Sequence, residues 1–159
     1  GTRITKNVRP GGYILGDEGS ASVIGRAFLS DVLKELAPPE LIDAFYFKYH
    51  TSAAEVMSAV YDKPLPHYYL SSVTSFLVDY QHTGYVSDLV TDSFKCFLHR
   101  NLFQYDYQQY PVYFTGKTAM AFSVLLRSIC RNYDFEPAKV SMDVAQGLVA
   151  YHATHLVDE

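Results

Sequence analysis

Residues 11–21, with the sequence GGYILGDEGSA, join a short apolar segment to a long predicted helix. Glycine adopts backbone angles that are closed to other residues, so Gly16 and Gly19 allow a ligand to approach the main chain. Asp17 and Glu18 precede the first helical turn, where backbone amides have no partner within the helix. A carboxylate in that position binds sugar hydroxyls, helps to hold a metal-nucleotide, or only caps the helix. The segment therefore indicates a binding turn.

The composition is that of an ordinary folded protein. The 159 residues suffice for one domain, and 48% are hydrophobic while 19% are charged. The net charge of −4 and the scattered lysines and arginines provide no basic surface for nucleic acid. No apolar run reaches the roughly 18 residues of a membrane helix, and the start of the chain has no signal-peptide core. We therefore expect a cytoplasmic protein without a nucleic-acid or membrane partner.

Few residues suggest metal or thiol chemistry. Cys96 and Cys130 belong to no Cys-x-x-Cys motif, which favours two buried thiols over a zinc ribbon or a disulfide framework. His152 and His155 could share a metal, but no third ligand has suitable spacing, so packing or capping is favoured and no metal site is expected. A group of tyrosines is more typical of the half-buried edge of a core than of a base-stacking site. These are Tyr105, Tyr107, Tyr110 and Tyr113.

Hydrophobic periodicity predicts an α/β order. Residues 3–8 and 12–15 read as two short strands around a Pro-Gly-Gly turn. A helix follows from about residue 19 to 36, with Leu36 in its apolar stripe, and two prolines end it. The later predictions are helices at 40–50, from 52 with Ser52 and Glu55 as a capping box, at 67–81 and up to 102, a strand at 111–115, a helix at 116–132, a strand at 139–140 and a helix at about 143–155. The predicted inner face of the helix at 116–132 consists of Phe122, Leu125, Leu126, Ile129 and Tyr133.

Three motifs resemble those of the N-acetylglucosamine kinase and BadF-type ATPase family. GYILGDEGSA at residues 12–21, followed by Gly25-Arg26, is close to the family signature on the sugar side of its cleft. VYFTGKTA at residues 112–119 is similar to its adenosine motif, and QGLVAYH at residues 146–152 is similar to its closing motif. The resemblance extends over residues 3–152.

The resemblance implies a ribonuclease H-like (actin-like ATPase) fold of the sugar kinase, heat-shock ATPase and actin superfamily. Residues 1–159 would form one carboxy-terminal domain with a helical insertion at about 38–109. The segment RNLFQYDYQ, residues 100–108, is most similar to a branch found in Bacteroides-type bacteria. The family's phosphate loops and catalytic Asp lie upstream of its first motif, so the amino-terminal ATPase half would be absent from this chain.

The same resemblance implies an acceptor site. An intact member would transfer the γ-phosphoryl group of ATP, with Mg²⁺, to a hydroxyl of a sugar or amino sugar. Asp17, together with Glu18 and the backbone of Gly11 and Gly12, would bind that acceptor. The family's tryptophan falls at Gly11, so we expect selectivity to move away from free N-acetylglucosamine.

Gly116, Lys117 and Thr118 would contact the nucleotide. Without the resemblance, the sequence of these three residues also fits an ordinary helix start after a strand. It imitates the end of a P-loop as well, but the glycine that a P-loop needs five residues earlier is Pro111. The nucleotide assignment therefore depends on the resemblance.

Two other functions stay open at this stage. One is an ATPase that drives conformational change in a partner, like the activators of acyl-CoA dehydratases and reductases, although neither cysteine has the neighbours of a cluster-binding pair. The other is a non-catalytic binding module. The expected partners are a sugar substrate and the missing amino-terminal domain, with a homodimer as a further option.

Overall fold

The computed structural model describes Ile4, residues 6–142 and residues 144–155. The chain divides into two compact units, Gly1–Tyr105 and Asp106–Glu159. Within the described ranges, no helix is long and apolar enough to cross a membrane.

The first unit is helical over its described residues. Most of its helices lie within a few residues of their predicted positions. In chain order its elements are α1 (Gly12–Leu15), α2 (Ala21–Leu33), α3 (Pro39–Tyr49), α4 (Ala53–Tyr61), α5 (Pro66–Asp79), α6 (Gly84–Arg100) and a 3-10 turn (Leu102–Gln104).

The prediction of a strand at residues 12–15 is wrong, because this segment forms the single helical turn α1. Two of its apolar side chains, Ile14 and Leu15, are 68% and 81% exposed. The other predicted strand lies partly outside the described residues, and its described part, Ile4 and residues 6–8, is not in a strand. Its last residue, Val8, donates its backbone N–H to the Tyr105 hydroxyl at 2.7 Å.

Helix α2 ends three residues before its predicted end. Glu35 takes the left-handed conformation with φ of +55°, and the Leu36 N–H donates to the Asp31 carbonyl at 2.8 Å. This is the hydrogen bond of a Schellman ending, which turns the chain out of the helix. Leu36 is consequently 67% exposed, which corrects its prediction as a core residue.

The predicted capping box at the start of α4 is confirmed. The Ser52 hydroxyl accepts the Glu55 N–H at 3.4 Å, and the Glu55 carboxylate accepts the Ser52 N–H at 2.8 Å. Both bonds satisfy amides that a helix start leaves unpaired.

Helices α2 and α5 cross at Gly25. An ideal Cβ on this residue would lie 1.9 Å from the Leu70 carbonyl oxygen, so only glycine permits the contact. Beside the crossing, the Thr74 hydroxyl donates to the Ala21 carbonyl at 2.6 Å. The crossing fixes the first turns of α5 against the start of α2.

Three phenylalanines from three helices form the centre of the first unit. Phe28, Phe45 and Phe76 are all 0% exposed, and their ring centroids are 5.5 to 5.8 Å apart. Aromatic rings at such separations attract each other beyond the effect of the apolar area they bury. The cluster ties α2, α3 and α5 into one core.

The second unit contains a small parallel sheet. Its strands pair Tyr113 with Lys139 and Thr115 with Ser141, and Phe114 at the middle of the first strand is buried. Its elements are β1 (Tyr113–Thr115), α7 (Lys117–Ala121), α8 (Ser123–Arg131), β2 (Lys139–Ser141) and α9 (Val144–His155).

The helix predicted over residues 116–132 is interrupted at Phe122. This residue leaves helical geometry with φ of −107° and ψ of 30°, and its side chain is 0% exposed. The single helix is therefore corrected to α7 and α8. Of the predicted inner face, Phe122, Leu126 and Ile129 are buried, whereas Leu125 and Tyr133 are half-buried.

The structure is helix-rich with a small parallel sheet. This agrees with the predicted α/β class at that level of detail. The ribonuclease H-like fold, the single domain over 1–159 and the insertion at about 38–109 stay predictions.

Candidate functional site

The glycine-rich turn, residues 10–20, folds back on itself. Gly11 and Gly12 have φ of +73° and +72°, in the region that favours glycine. The Gly16 N–H donates to the Gly12 carbonyl at 3.0 Å. An ideal Cβ on Gly16 would lie 2.0 Å from the Pro10 carbonyl oxygen. The turn therefore needs glycine for two separate reasons, left-handed backbone and close approach of two chain segments.

Asp17 is held in an unusual backbone conformation. Its φ is +69°, which is uncommon outside glycine although Asp tolerates it better than most residues. The Ser20 hydroxyl donates to Asp17 Oδ2 at 2.8 Å and accepts the Val23 N–H at 3.2 Å. Ser20 is thus the helix cap, and it orients the Asp17 carboxylate at the same time. Among the described residues, Oδ1 of Asp17 has no hydrogen-bond donor.

Glu18 has protein partners instead. Its carboxylate pairs with Arg100 Nε at 2.6 Å and accepts a hydrogen bond from Asn101 Nδ2 at 3.4 Å. A hydrogen bond from its own backbone N–H holds the pKa of Glu18 below its ordinary value. Asn101 and Arg100 also lower this pKa, whereas burial raises it. The Glu18 side chain is 15% exposed. These contacts favour a structural role, and its predicted contact with an acceptor stays a prediction.

Gly19 places the turn against α6. It has φ of +77°, and an ideal Cβ would lie 3.0 Å from the Cβ of Phe97. The Glu18 and Arg100 pair lies at the end of the same helix. The ion pair of Glu18 and the close approach of Gly19 to Phe97 therefore fix the position of the turn against α6, while Oδ1 of Asp17 has no donor among the residues that the structure describes.

His67 is a residue of this region that the sequence analysis did not single out. It lies in the first turn of α5, and its ring is 5.0 Å from that of Tyr13, centroid to centroid, at 37°. No sequence signal connects the two residues, because their contact depends on the crossing of α2 and α5.

The structure places the predicted nucleotide residues directly after β1. The Gly116 N–H donates to the Ser141 carbonyl at 2.9 Å, which extends the ladder of the sheet by one bond. Gly116 has φ of +125°, and an ideal Cβ would meet no atom within 4 Å. Lys117 is exposed and Thr118 is half-buried. Gly116 thus borders open space, but any side chain there would strain the backbone.

Two other expectations need correction. Cys130 is buried, and burial raises the pKa of its thiol to about 11, but Cys96 is exposed. Tyr110 and Tyr113 are 64% and 62% exposed, so they do not line the edge of a core.

The described residues contain no cluster of three or more His, Cys, Asp or Glu side chains that could hold a metal ion. Asp17 and Glu18 are adjacent, but Glu18 is engaged by Arg100.

No protein-family model matches the chain, and no curated protein does. Among solved structures, the chain is similar to the crystal structure of a candidate N-acetylglucosamine kinase from Porphyromonas gingivalis. The two share 34% sequence identity with a TM-score of 0.92, over 97% of this chain and 54% of that one. This chain therefore spans about half the length of that protein. Over the aligned residues, this chain shares the fold of that protein.

Proposed function

We propose that this chain is the carboxy-terminal half of an ATP-dependent sugar kinase. In this proposal the glycine-rich turn binds the phosphoryl acceptor, a sugar or amino sugar, and the segment after β1 contacts the adenosine of ATP. The observation that supports it most is the likeness to a candidate kinase over nearly the whole of this chain.

The geometry of Asp17 agrees with a role in binding the sugar. A sugar hydroxyl can donate a hydrogen bond to a carboxylate oxygen that is oriented and still has a free lone pair. The Ser20 hydroxyl donates only to Oδ2 of Asp17. A hydrogen bond between a hydroxyl and a carboxylate is stronger than one between neutral groups. Asp17 would therefore select and orient the hydroxyl that receives the phosphoryl group.

The nucleotide would lie beside Gly116. The absence of a Cβ leaves open space next to the end of β1, where a flat base or ribose could approach the main chain. Magnesium would arrive with the phosphates of ATP and offset their charge. The described residues offer no three-ligand cluster for it, so we assign its protein contacts to the other half.

Phosphoryl transfer would require both halves. In the proposed enzyme, an Asp of the amino-terminal half takes the proton of the acceptor hydroxyl, and closure of the two halves excludes water. The present chain supplies binding and orientation, which are large contributions to this class of reaction.

The sequence encoded directly upstream of Gly1 tests the division into halves. The proposal expects a glycine-rich phosphate loop within roughly 130 residues, the size of one further domain. The full-length protein should then release ADP from ATP only when a suitable sugar is present. ATP hydrolysis that is indifferent to every sugar, but stimulated by a partner protein, would favour the regulatory ATPase instead.

A further inference from the structure

Tyr13, which lies in the glycine-rich turn, forms an aromatic pair with His67. Their ring centroids are 5.0 Å apart, and the Tyr13 side chain is 46% exposed. The ring of Tyr68 lies 4.5 Å from the imidazole, centroid to centroid. The His67 ring thus contacts two tyrosine rings, and Tyr13 is partly open to solvent.

The fold brings His67 to the turn that contains Tyr13 and Asp17. His67 lies three residues before Leu70, whose carbonyl touches Gly25 at the crossing of α2 and α5. Tyr13 precedes Asp17 by four residues, so their Cα atoms are within about 14 Å even in an extended chain. The Gly16 N–H donates to the Gly12 carbonyl, so the turn is closed and the separation is shorter than this. Tyr13 and Asp17 therefore lie within one closed turn.

The hydrogen bonding of His67 is incomplete. Its Nδ1 atom is buried and has no partner among the described residues. The Nε2 atom of the same ring is not among the buried atoms that lack a partner. A buried polar atom without a partner is costly, and such costs are often tolerated at sites that serve a ligand. The ring offers a polar edge through Nε2 and a stacked face through Tyr13.

We propose that Tyr13 and His67 form the wall of the acceptor site that recognises the pyranose ring. The proposal rests on the proposed function. In this arrangement the apolar face of the sugar lies on the exposed part of the Tyr13 ring, His67 Nε2 contacts a ring substituent, and Asp17 accepts a hydroxyl. The pair is a specificity determinant, and it contacts the acceptor rather than the reacting phosphoryl group.

Nuclear magnetic resonance titration of the 159-residue chain tests the wall. The probes are glucose, glucosamine and N-acetylglucosamine, with sorbitol as a control that has hydroxyls but no ring face. A pyranose should shift the ring signals of Tyr13 and His67 together with the amide of Ser20. Tyr13→Ala should weaken its binding by about 5-fold, the size expected for one aromatic contact, whereas Tyr13→Phe should retain it.

Two further variants separate stacking from folding. His67→Phe keeps a flat ring and should weaken binding only for sugars that contact Nε2. Tyr61→Ala removes a tyrosine that is 75% exposed on α4 and should change nothing. If a pyranose shifts the Ser20 amide and Tyr13→Ala leaves its affinity unchanged, the wall is refuted and the proposed function stands. If no sugar shifts any of these signals, the wall and the acceptor role of the turn both fail.

Discussion

Asp17 and Glu18 are adjacent in sequence but have different surroundings. Asp17 is oriented by Ser20 within its own turn, whereas Glu18 is bound to Arg100 and Asn101 at the end of α6. A carboxylate that already has a cationic partner gains little from binding a sugar. We therefore expect mutations at the two positions to have different effects, on ligand binding for Asp17 and on stability for Glu18.

Glu18→Gln should lower the free energy of unfolding by about 0.5 to 1 kcal/mol at pH 7, because Arg100 is 63% exposed and partly exposed ion pairs contribute little. The pKa of Glu18 is lowered in the folded state from an ordinary value of 4.5. Its contribution is therefore fully present above that value and is lost as pH falls through the lowered pKa.

Urea unfolding of both proteins between pH 7 and pH 3 checks this prediction. The difference between wild type and variant should shrink toward the acid end of the series. A difference that stays constant over the whole range would show that the charge of Glu18 is not what stabilises the turn.

Gly116→Ala should reduce both stability and nucleotide affinity. With φ of +125°, an alanine strains the backbone by about 1 to 3 kcal/mol, and its methyl group enters the space proposed for adenosine. The thermal midpoint of this chain and the KM for ATP of the full-length protein measure the two effects. Gly147→Ala is the control, because an ideal Cβ there also meets no atom within 4 Å and its φ is not positive. An unchanged KM for ATP would remove Gly116 from the nucleotide site.

At the scale of elements, the crossing of α2 and α5 is the contact on which the site depends. Gly25→Ala would place a methyl group 1.9 Å from the Leu70 carbonyl oxygen. Overpacking against backbone cannot be relieved by a rotamer change, so we expect a loss of about 3 kcal/mol in the free energy of unfolding. Gly84→Ala, where an ideal Cβ meets nothing within 4 Å, should be neutral or slightly stabilising. Equal effects of the two substitutions would contradict the crossing.

Local signals predicted most of the helices and the two strands of the second unit well, but the two strands predicted before Asp17 poorly. The Ser52 and Glu55 capping box and the apolar face of α8 depend on neighbours in sequence, so they could be read directly. The apolar segment before Asp17 could not, because four residues suit a strand or a helical turn equally. The helical conformation of this segment depends on the closed form of the turn, in which the Pro10 carbonyl lies against Gly16.

The candidate site was predictable only in part. Asp17, Gly11 and Gly12 came from the motif and lie together in one turn. The partners of Glu18 lie 82 and 83 residues away in sequence, and His67 reaches Tyr13 only through the crossing of two helices. No local pattern contains such contacts, because they arise from packing between distant segments.

At the scale of the whole molecule, the proposal assigns only part of the chemistry to this chain. Catalysis of phosphoryl transfer depends on groups from both walls of a cleft. We therefore expect the purified 159-residue chain to hydrolyse no ATP and to phosphorylate no sugar in a coupled ADP assay. Turnover by this chain that Asp17→Asn abolishes would show that it is catalytically complete.

The central claim is that Asp17 binds the phosphoryl acceptor, and the acceptor specificity of Asp17→Ala in the full-length protein tests it most directly. Across a panel of sugars and amino sugars, we expect the best acceptor to differ from free N-acetylglucosamine. Its kcat/KM should fall by about 30-fold or more, equivalent to a lost charged hydrogen bond of about 2 kcal/mol, while Glu18→Gln stays close to wild type. Efficient phosphorylation of N-acetylglucosamine that is indifferent to Asp17→Ala would contradict the account.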